Sequence, residues 1–271
     1  MPRSVLVTGA SSGIGQACAL RLARAGWHVY GGIRTSEDAV EMRRHGVEPV
    51  ELDVTDSVLV AGAAETVGPE LHGLVANAGI AVAAPLELVP LDELRRQLEV
   101  NVVGQVAVVQ AFLPALRRAR GRVVLMGSVG GRSALPFLGP YAASKHALEA
   151  VADVLRVELA PWGIAVAIVE PASVRTSIWT KGAAHAESLR EAVSPDAREL
   201  YAARIERFTQ VAMKRGPGVD PDVVAKAVEH ALTAARPKAR YLVGRDAHIR
   251  AWIERLPARL RDRILAKALT G

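Results

Sequence analysis

The sequence predicts an α/β protein built on a doubly wound, parallel, seven-stranded sheet flanked by helices, and three observations carry that expectation. Short β-branched runs alternate with longer stretches of helical periodicity, the pattern of parallel strands joined by crossover helices. The strand runs are almost continuously Val, Ile and Leu, as in strands covered by helices on both faces. The first run passes straight into a glycine-rich turn, Thr8-Gly9-Ala10-Ser11-Ser12-Gly13-Ile14-Gly15, and a helix follows. With right-handed connections, these features predict a single Rossmann-type domain over residues 1–271.

Strands are expected, in order, at Val5–Thr8, His28–Ile33, Glu48–Leu52, Gly73–Ala76, Arg122–Met126, Ile164–Val169 and Arg240–Val243. Helices are expected around 14–25, 57–67, 91–118, 141–161 and 221–235. Two regions break the alternation: a charged helical insertion at 177–215, read as a substrate lid, and a basic extension at 245–271.

Composition narrows the function. Aromatic residues make up only 4% of the chain, too few for a base-stacking surface. The net charge of +6 comes from basic residues interleaved with acids over helices, which suits a phosphate-rich cofactor better than a nucleic acid. The one cysteine, Cys18, lies among alanines and reads as a small buried apolar group; with no intrachain disulfide, the expected compartment is a reducing cytoplasm. The strand pattern starts at Arg3, which leaves no room for a signal peptide, and no apolar run reads as a membrane span. The seven histidines form no ligand cluster with cysteine or carboxylates, so no metal is expected. His146 points to a different face from Lys145 and reads as packing or surface.

The chemistry is carried by Tyr141 and Lys145, four residues apart and so on one helix face, with Ser128 thirteen residues before the tyrosine. A tyrosine titrates near 10, and a unit charge about 4 Å away at an effective dielectric of about 20 is worth roughly 4 kcal/mol, or about three pKa units. Lys145 is therefore expected to bring the phenol near neutrality, where it can donate a proton to a carbonyl or remove one from an alcohol. The same spacing also arises as an exposed helical pair. At the other end of the chain, the glycine turn lets the backbone approach a pyrophosphate at the helix N-terminus.

The Gly9, Ser11, Ser12, Gly13, Ile14, Gly15 turn together with Ser128, Tyr141 and Lys145 resembles the short-chain dehydrogenase/reductase family, and the resemblance runs over about the first 175 residues. It implies adenine contact by Asp53 and Val54, and bracing of the sheet beside the cofactor by Asn77, Ala78 and Gly79. It also implies that Pro171, Val174 and Thr176 hold the nicotinamide carboxamide. Tyr141 becomes the general acid or base, Lys145 a ligand of the nicotinamide ribose, and Ser128 a hydrogen-bond donor to the substrate oxygen. Asn101, in the family's fourth catalytic position, would position a water that links Lys145 to solvent; the plainer reading is a helix-interior amide satisfying backbone groups.

Aligned from Gly9, the family's acidic, NAD-selecting position falls on apolar Ile33, and Arg34 follows it, so NADP is expected over NAD. The alternative is that Arg34 merely pairs with Glu37 or Asp38. Relatives carry Pro-Gly after the sixth strand where this chain has Pro171-Ala172, which would strain the backbone if positive φ is required there. Leu135, Phe137, Ile178 and Trp179, with Ser128 and Tyr141, are expected to line an apolar substrate pocket, unless Phe137 and Trp179 serve only to pack the lid.

The segment from Gly121 to Pro171 looks most like the branch containing steroid and retinol dehydrogenases, implying a hydrophobic ketone or secondary alcohol as substrate. A 3-oxoacyl-thioester reductase or a non-catalytic dinucleotide-binding regulator are the alternatives. The extension pairs Trp252, Ile253, Leu256, Leu260 and Ile264 with a basic row, and is expected to cover the pocket or a partner subunit before a membrane surface. By resemblance, the helices at 91–118 and 141–161 imply a homodimer or homotetramer.

Overall fold

The computed structural model describes residues 2–214, 216 and 218–270, so Arg215 and Gly271, the ends of the expected lid and extension, lie outside the described residues. The strands are β1 (Ser4–Thr8), β2 (His28–Ile33), β3 (Val47–Glu51), β4 (Gly73–Ala76), β5 (Arg122–Met126), β6 (Ala165–Pro171) and β7 (Arg240–Val243). They pair in parallel throughout, in the order β3-β2-β1-β4-β5-β6-β7. The chain reverses its winding between β1 and β4, which is where a doubly wound sheet opens a crevice.

The helices are α1 (Gly13–Arg24), α2 (Ser36–Arg44), α3 (Ser57–Val67), α4 (Leu91–Leu98), α5 (Gly104–Ala119), α6 (Gly139–Glu158), α7 (Ser177–Glu191), α8 (Pro195–Lys214), α9 (Pro221–Thr233), α10 (Arg245–Ile253) and α11 (Ala258–Thr270). Alternate residues of the strands feed two cores. Val5, Val7, Val29 and Val124 pack with Cys18, Leu22, Met42 and Val228 of α1, α2 and α9. Leu6, Leu74, Val123 and Leu125 pack with Val60, Phe112, Leu116 and Ala152 of α3, α5 and α6. Each fully buried Leu, Val or Phe contributes about 1.5–3 kcal/mol, so both faces are strongly held.

The departures from expectation are local. Helix α2, begun by Thr35 accepting from the Asp38 N–H, has too little apolar periodicity to stand out, since only Met42 of it is buried. The expected helix at 91–118 contains a π-helical turn, Glu99–Val103, between α4 and α5. At its end α5 presses on the loop after β3: a Cβ on Gly104 would lie 2.8 Å from the Val54 carbonyl oxygen. By length and composition alone, the continuous helical stretch Leu91–Ala119 is apolar enough to cross a membrane, contrary to the sequence reading. Here its Val108, Val109, Phe112 and Leu116 are buried against the sheet.

Candidate active site

A cleft of about 630 Å³ lies over the carboxyl ends of the strands. Gly9, Ser11, Ser12, Gly13, Ile14, Arg34, Asp53, Val54, Asn77, Ala78, Gly79, Pro171, Val174 and Thr176 line it, together with Ser128, Tyr141 and Lys145. Its floor is fixed by backbone. Gly9 and Gly13 take positive φ, which L side chains rarely adopt. Gly15 does not line the cleft: it lies beneath the turn, where a Cβ would fall 2.1 Å from the Gly9 carbonyl oxygen. Asn77 ties β4 to β1, its side-chain amide donating to the Thr8 carbonyl at 2.9 Å, while the Thr8 hydroxyl accepts from the Asn77 and Ala78 N–H groups. Thr8 carries this brace and was not singled out by sequence.

Beside Arg34 in the cleft, Asp53 accepts from the Thr55 N–H and hydroxyl at 2.9 and 2.7 Å. Against the cost of partial burial, these bonds and the charge of Arg34 hold its carboxyl below the usual range. Arg34 is well exposed and stands 3.9 Å from Asp53, so its nearest acid is neither Glu37 nor Asp38. Ala172 carries no strain: its φ is not positive, and its N–H donates to the Val243 carbonyl at 2.9 Å. The doubt raised by the missing glycine is thereby removed.

Tyr141 and Lys145 share one face of α6 and both reach the cleft, but their coupling differs from the sequence expectation. The Lys145 ammonium donates to the Met126 carbonyl at 2.7 Å and lies 5.8 Å from the centre of the Tyr141 ring. Burial pushes the Tyr141 phenol above its ordinary value, and the Ser128 hydroxyl and the charge of Arg250 pull it part of the way back. Desolvation of a phenolate thus outweighs its neighbours here, and the expected Lys145 effect is not among them. Lys145 is itself lowered to about 8 by burial, opposed by the charge of Glu149.

Asn101 lines neither cavity and does not reach Lys145. Wholly buried in the π-turn, it accepts from the Ile80 N–H at 2.9 Å and donates to the Ile80 carbonyl and the Ser144 hydroxyl, both at 3.1 Å. Ser144 in turn donates to the Tyr141 carbonyl at 2.7 Å. Asn101 therefore splints the loop after β4 to the helix bearing Tyr141, which is the plainer of its two sequence readings. Gln97 extends the splint, accepting from Val82 N–H at 2.7 Å. Its only signal in sequence was a polar residue on the buried side of a helix.

A second cavity, of about 1020 Å³, adjoins the cleft under α7, α8 and α10. Leu135 and Phe137 line it, with Ser128, Tyr141 and Trp179 on the wall it shares with the cleft. The Trp179 ring meets Tyr141 edge-on at 5.5 Å, and Phe137 meets Phe208 at 5.5 Å and Tyr201 at 6.5 Å. Ile178 corrects the sequence reading: it lines the cleft and not this cavity, because consecutive helical residues project about 100° apart.

Behind the shared wall lies a charge cluster that sequence did not reveal. Glu170, at the end of β6, is fully buried 3.1 Å from Arg132, and Glu149, one turn after Lys145, pairs with Arg240. Burial and then the Glu149 charge raise the Glu170 carboxyl to about 7, against the pull of Arg132 and Arg240.

Comparison with known proteins agrees with this geometry. The profile of the short chain dehydrogenase family matches residues 3–187, and the chain belongs to that family. It is thus an oxidoreductase of CH–OH and C=O groups. It is 36% identical to the NADPH-dependent 3-dehydrocapnine reductase of Ornithobacterium rhinotracheale over 98% of this chain and 97% of that one. It is 37% identical to human retinol dehydrogenase 16 over 90% of this chain and 81% of that protein. Among solved structures, a short chain dehydrogenase from Burkholderia cenocepacia in complex with NADP superposes with a TM-score of 0.75 at 27% identity, covering 100% of this chain and 98% of that one.

Proposed function

We propose that the protein is an NADP-preferring reductase or dehydrogenase of hydrophobic ketones and secondary alcohols, with Tyr141, Ser128 and Lys145 performing the proton chemistry. The observation that carries the reading is the wall at Tyr141 and Ser128, common to a glycine-floored cleft and a largely apolar cavity. The cleft suits a dinucleotide. Gly9 and Gly13 leave a cradle that side chains would fill, and Ser12 leaves the α1 N-terminus without a side-chain cap, so its N–H groups and dipole favour a phosphate. The cofactor, when bound, supplies the hydride.

The chain's own residues do the rest. The turn from Gly9 to Gly13 holds the pyrophosphate, Asp53 and Val54 the adenine, and Pro171, Val174 and Thr176 the nicotinamide. Arg34 pairs with a ribose 2′-phosphate, a charge-assisted contact worth about 1.5–3 kcal/mol. The Ser128 hydroxyl steadies the substrate oxygen while Tyr141 donates its proton in reduction and accepts it in oxidation. A phenol held above its ordinary value stays protonated at neutral pH, the form that reduction requires. Lys145 orients the ribose beside it, and Asn101 and Ser144 hold the helix in register.

The breadth of the cavity and its Leu135, Phe137 and Trp179 lining favour a lipophilic substrate of retinoid or steroid size over a small polar one. The exposed Val103, Val154 and Val157 on the helices around Tyr141 support pairing of two or four copies through that face. Following nicotinamide absorbance while offering steroid, retinoid and cyclic ketones with each cofactor tests the reading. We expect turnover of lipophilic ketones with NADPH ahead of NADH; turnover confined to acyl thioesters, or none with any ketone, would refute it.

A further inference from the structure

Alternation along β6 sends Val166, Ile168 and Glu170 to the face covered by α6, and the first two belong to the apolar core there. The third inward position is thus a carboxylate, and it has no exposure to solvent. Pro171, which lines the cleft, follows it directly. Arg132 from the loop after β5 and Arg240 from β7 stand 3.1 and 3.7 Å from the same Glu170 oxygen, Oε1. Arg240 also holds Glu149 and, through both oxygens at 2.9 Å, Asp153; Lys145, Glu149 and Asp153 run at four-residue steps along α6. Among the described residues no donor makes an aligned hydrogen bond to either Glu170 oxygen, and Glu149 lies within hydrogen-bonding reach of it. Two carboxyls so placed bond only through a proton carried by one of them.

Arg132 closes the 3₁₀ turn Val129–Gly131, which begins at Ser128. Within the turn the Gly131 N–H donates to the Ser128 carbonyl at 2.8 Å, and the Arg132 N–H to the Val129 carbonyl at 3.1 Å. The turn lies flat on α6: a Cβ on Gly131 would fall 2.7 Å from the Lys145 carbonyl oxygen, and one on Gly130 3.3 Å from Tyr141 Cε1. A turn this short and this closely packed passes a shift of Arg132 on to Ser128.

We propose that Glu170 is a positioning residue of the reaction: ionised, it anchors Arg132 and fixes the turn that presents Ser128 to Tyr141, and a proton shared with Glu149 releases that anchor. The inference rests on the reading of Ser128 and Tyr141 as the reacting pair, and adds to it a residue that touches neither substrate nor cofactor. Its basis is an anion set into an apolar row and facing two cations, one of them four residues from the serine. The charged groups gathered around it are Lys145, Glu149 and Asp153 from α6, Arg132 from the loop after β5 and Arg240 from β7. Helix α10 adds Arg250, on the Ser133 carbonyl beyond the turn. Burial and the Glu149 charge hold the proton on Glu170 up to about 7, against both arginines, so the exchange falls in the neutral range. Ionising a buried carboxyl lowers the stability of the whole fold while it tightens this one turn, and the two effects run in opposite directions with pH.

The test uses the full-length protein and reads hydrogen exchange at the Gly130, Gly131 and Arg132 amides, as protection factors on the acid and alkaline sides of the Glu170 value of about 7. We expect protection about tenfold higher on the alkaline side, while thermal stability does not rise. Glu170→Gln carries a neutral side chain of the same shape and should hold protection at the lower value on both sides. Arg132→Met, at a partly exposed position, should do the same, and it serves where the glutamine variant fails to fold. In the same samples, kcat for NADPH-dependent reduction of a saturating lipophilic ketone should follow protection. It should be about tenfold lower on the acid side and in the variants, with NADP affinity near that of the parent protein. Equal protection on the two sides in the parent overturns the proposal, as does a pH dependence that survives in the variants or merely follows thermal stability. Protection that changes while kcat stays level also overturns it, because the turn would then tighten without consequence for Ser128. Absence of turnover with any ketone counts against the reductase reading, while the exchange data decide the role of Glu170.

Discussion

The cleft and the cavity share a wall at Tyr141 but are built in different ways. The cleft is a product of backbone: two glycines in left-handed conformations, a third that allows chain to touch chain, and a strand-end threonine bonded to the loop of the next strand. The cavity is a product of side chains brought from segments far apart in sequence: Phe137 after β5, Tyr201 and Phe208 on α8, and Arg250 on α10. Short contiguous motifs therefore decide where the chemistry happens, and long-range packing decides what it acts on.

Substitutions at the two ends should fail differently. The largest effect is expected from Gly15→Val, whose Cβ would collide with the Gly9 carbonyl. Deformation of the turn should cost about 3 kcal/mol and weaken dinucleotide binding roughly a hundredfold, measurable by calorimetry. Arg34→Asp should spare the fold and shift the NADP:NAD ratio of kcat/KM by about one to two decades toward NAD; an unchanged ratio would detach Arg34 from cofactor choice. On the cavity side, Phe137→Ala should raise KM for lipophilic ketones about tenfold while leaving cofactor affinity near wild type, since Phe137 lines the cavity and not the cleft and its ring is worth about 1.5–3 kcal/mol of apolar burial. A loss of cofactor affinity as large as the rise in KM would mean that the two spaces are not energetically separate.

The smallest expected effect comes from the buried charges behind the wall. Glu170 is raised from 4.5 to about 7, so between those values the folded state holds more protons than the unfolded one, and stability falls as pH rises. Lys145 is lowered from 10.5 to about 8, so between those values the unfolded chain holds more protons, and stability recovers as pH rises. From these two groups, thermal unfolding should show a trough at pH 7–8, of a few degrees. Glu170→Gln should flatten its acidic limb; an undiminished limb in that variant would assign the slope to other groups.

How much of this was legible in the sequence follows the same division. The strands, the glycine turn and the Asn77 loop are contiguous patterns, and the strands fall within two residues of where periodicity put them. The π-turn at Glu99–Val103 was invisible because it interrupts neither the apolar face nor the helix formers; it is defined by where the Asn101 amide finds its partners. Ile178 was misassigned because loop proximity does not fix the side to which a helical residue points. The Glu149, Glu170, Arg132 and Arg240 cluster joins residues that look like ordinary surface charges one at a time. The expected acidification of Tyr141 by Lys145 failed for a related reason: spacing gives proximity along a helix, whereas the balance between burial and charge depends on everything packed around it.

In the proposed reaction Tyr141 moves the proton at the junction of cleft and cavity. The most direct measurement is the single-turnover rate of NADPH oxidation by Tyr141→Phe with a saturating lipophilic ketone, set beside its affinity for NADP. The expected rate is lower by about 10² to 10⁴, with cofactor affinity near that of the parent protein. A rate within a few-fold of the parent would contradict it.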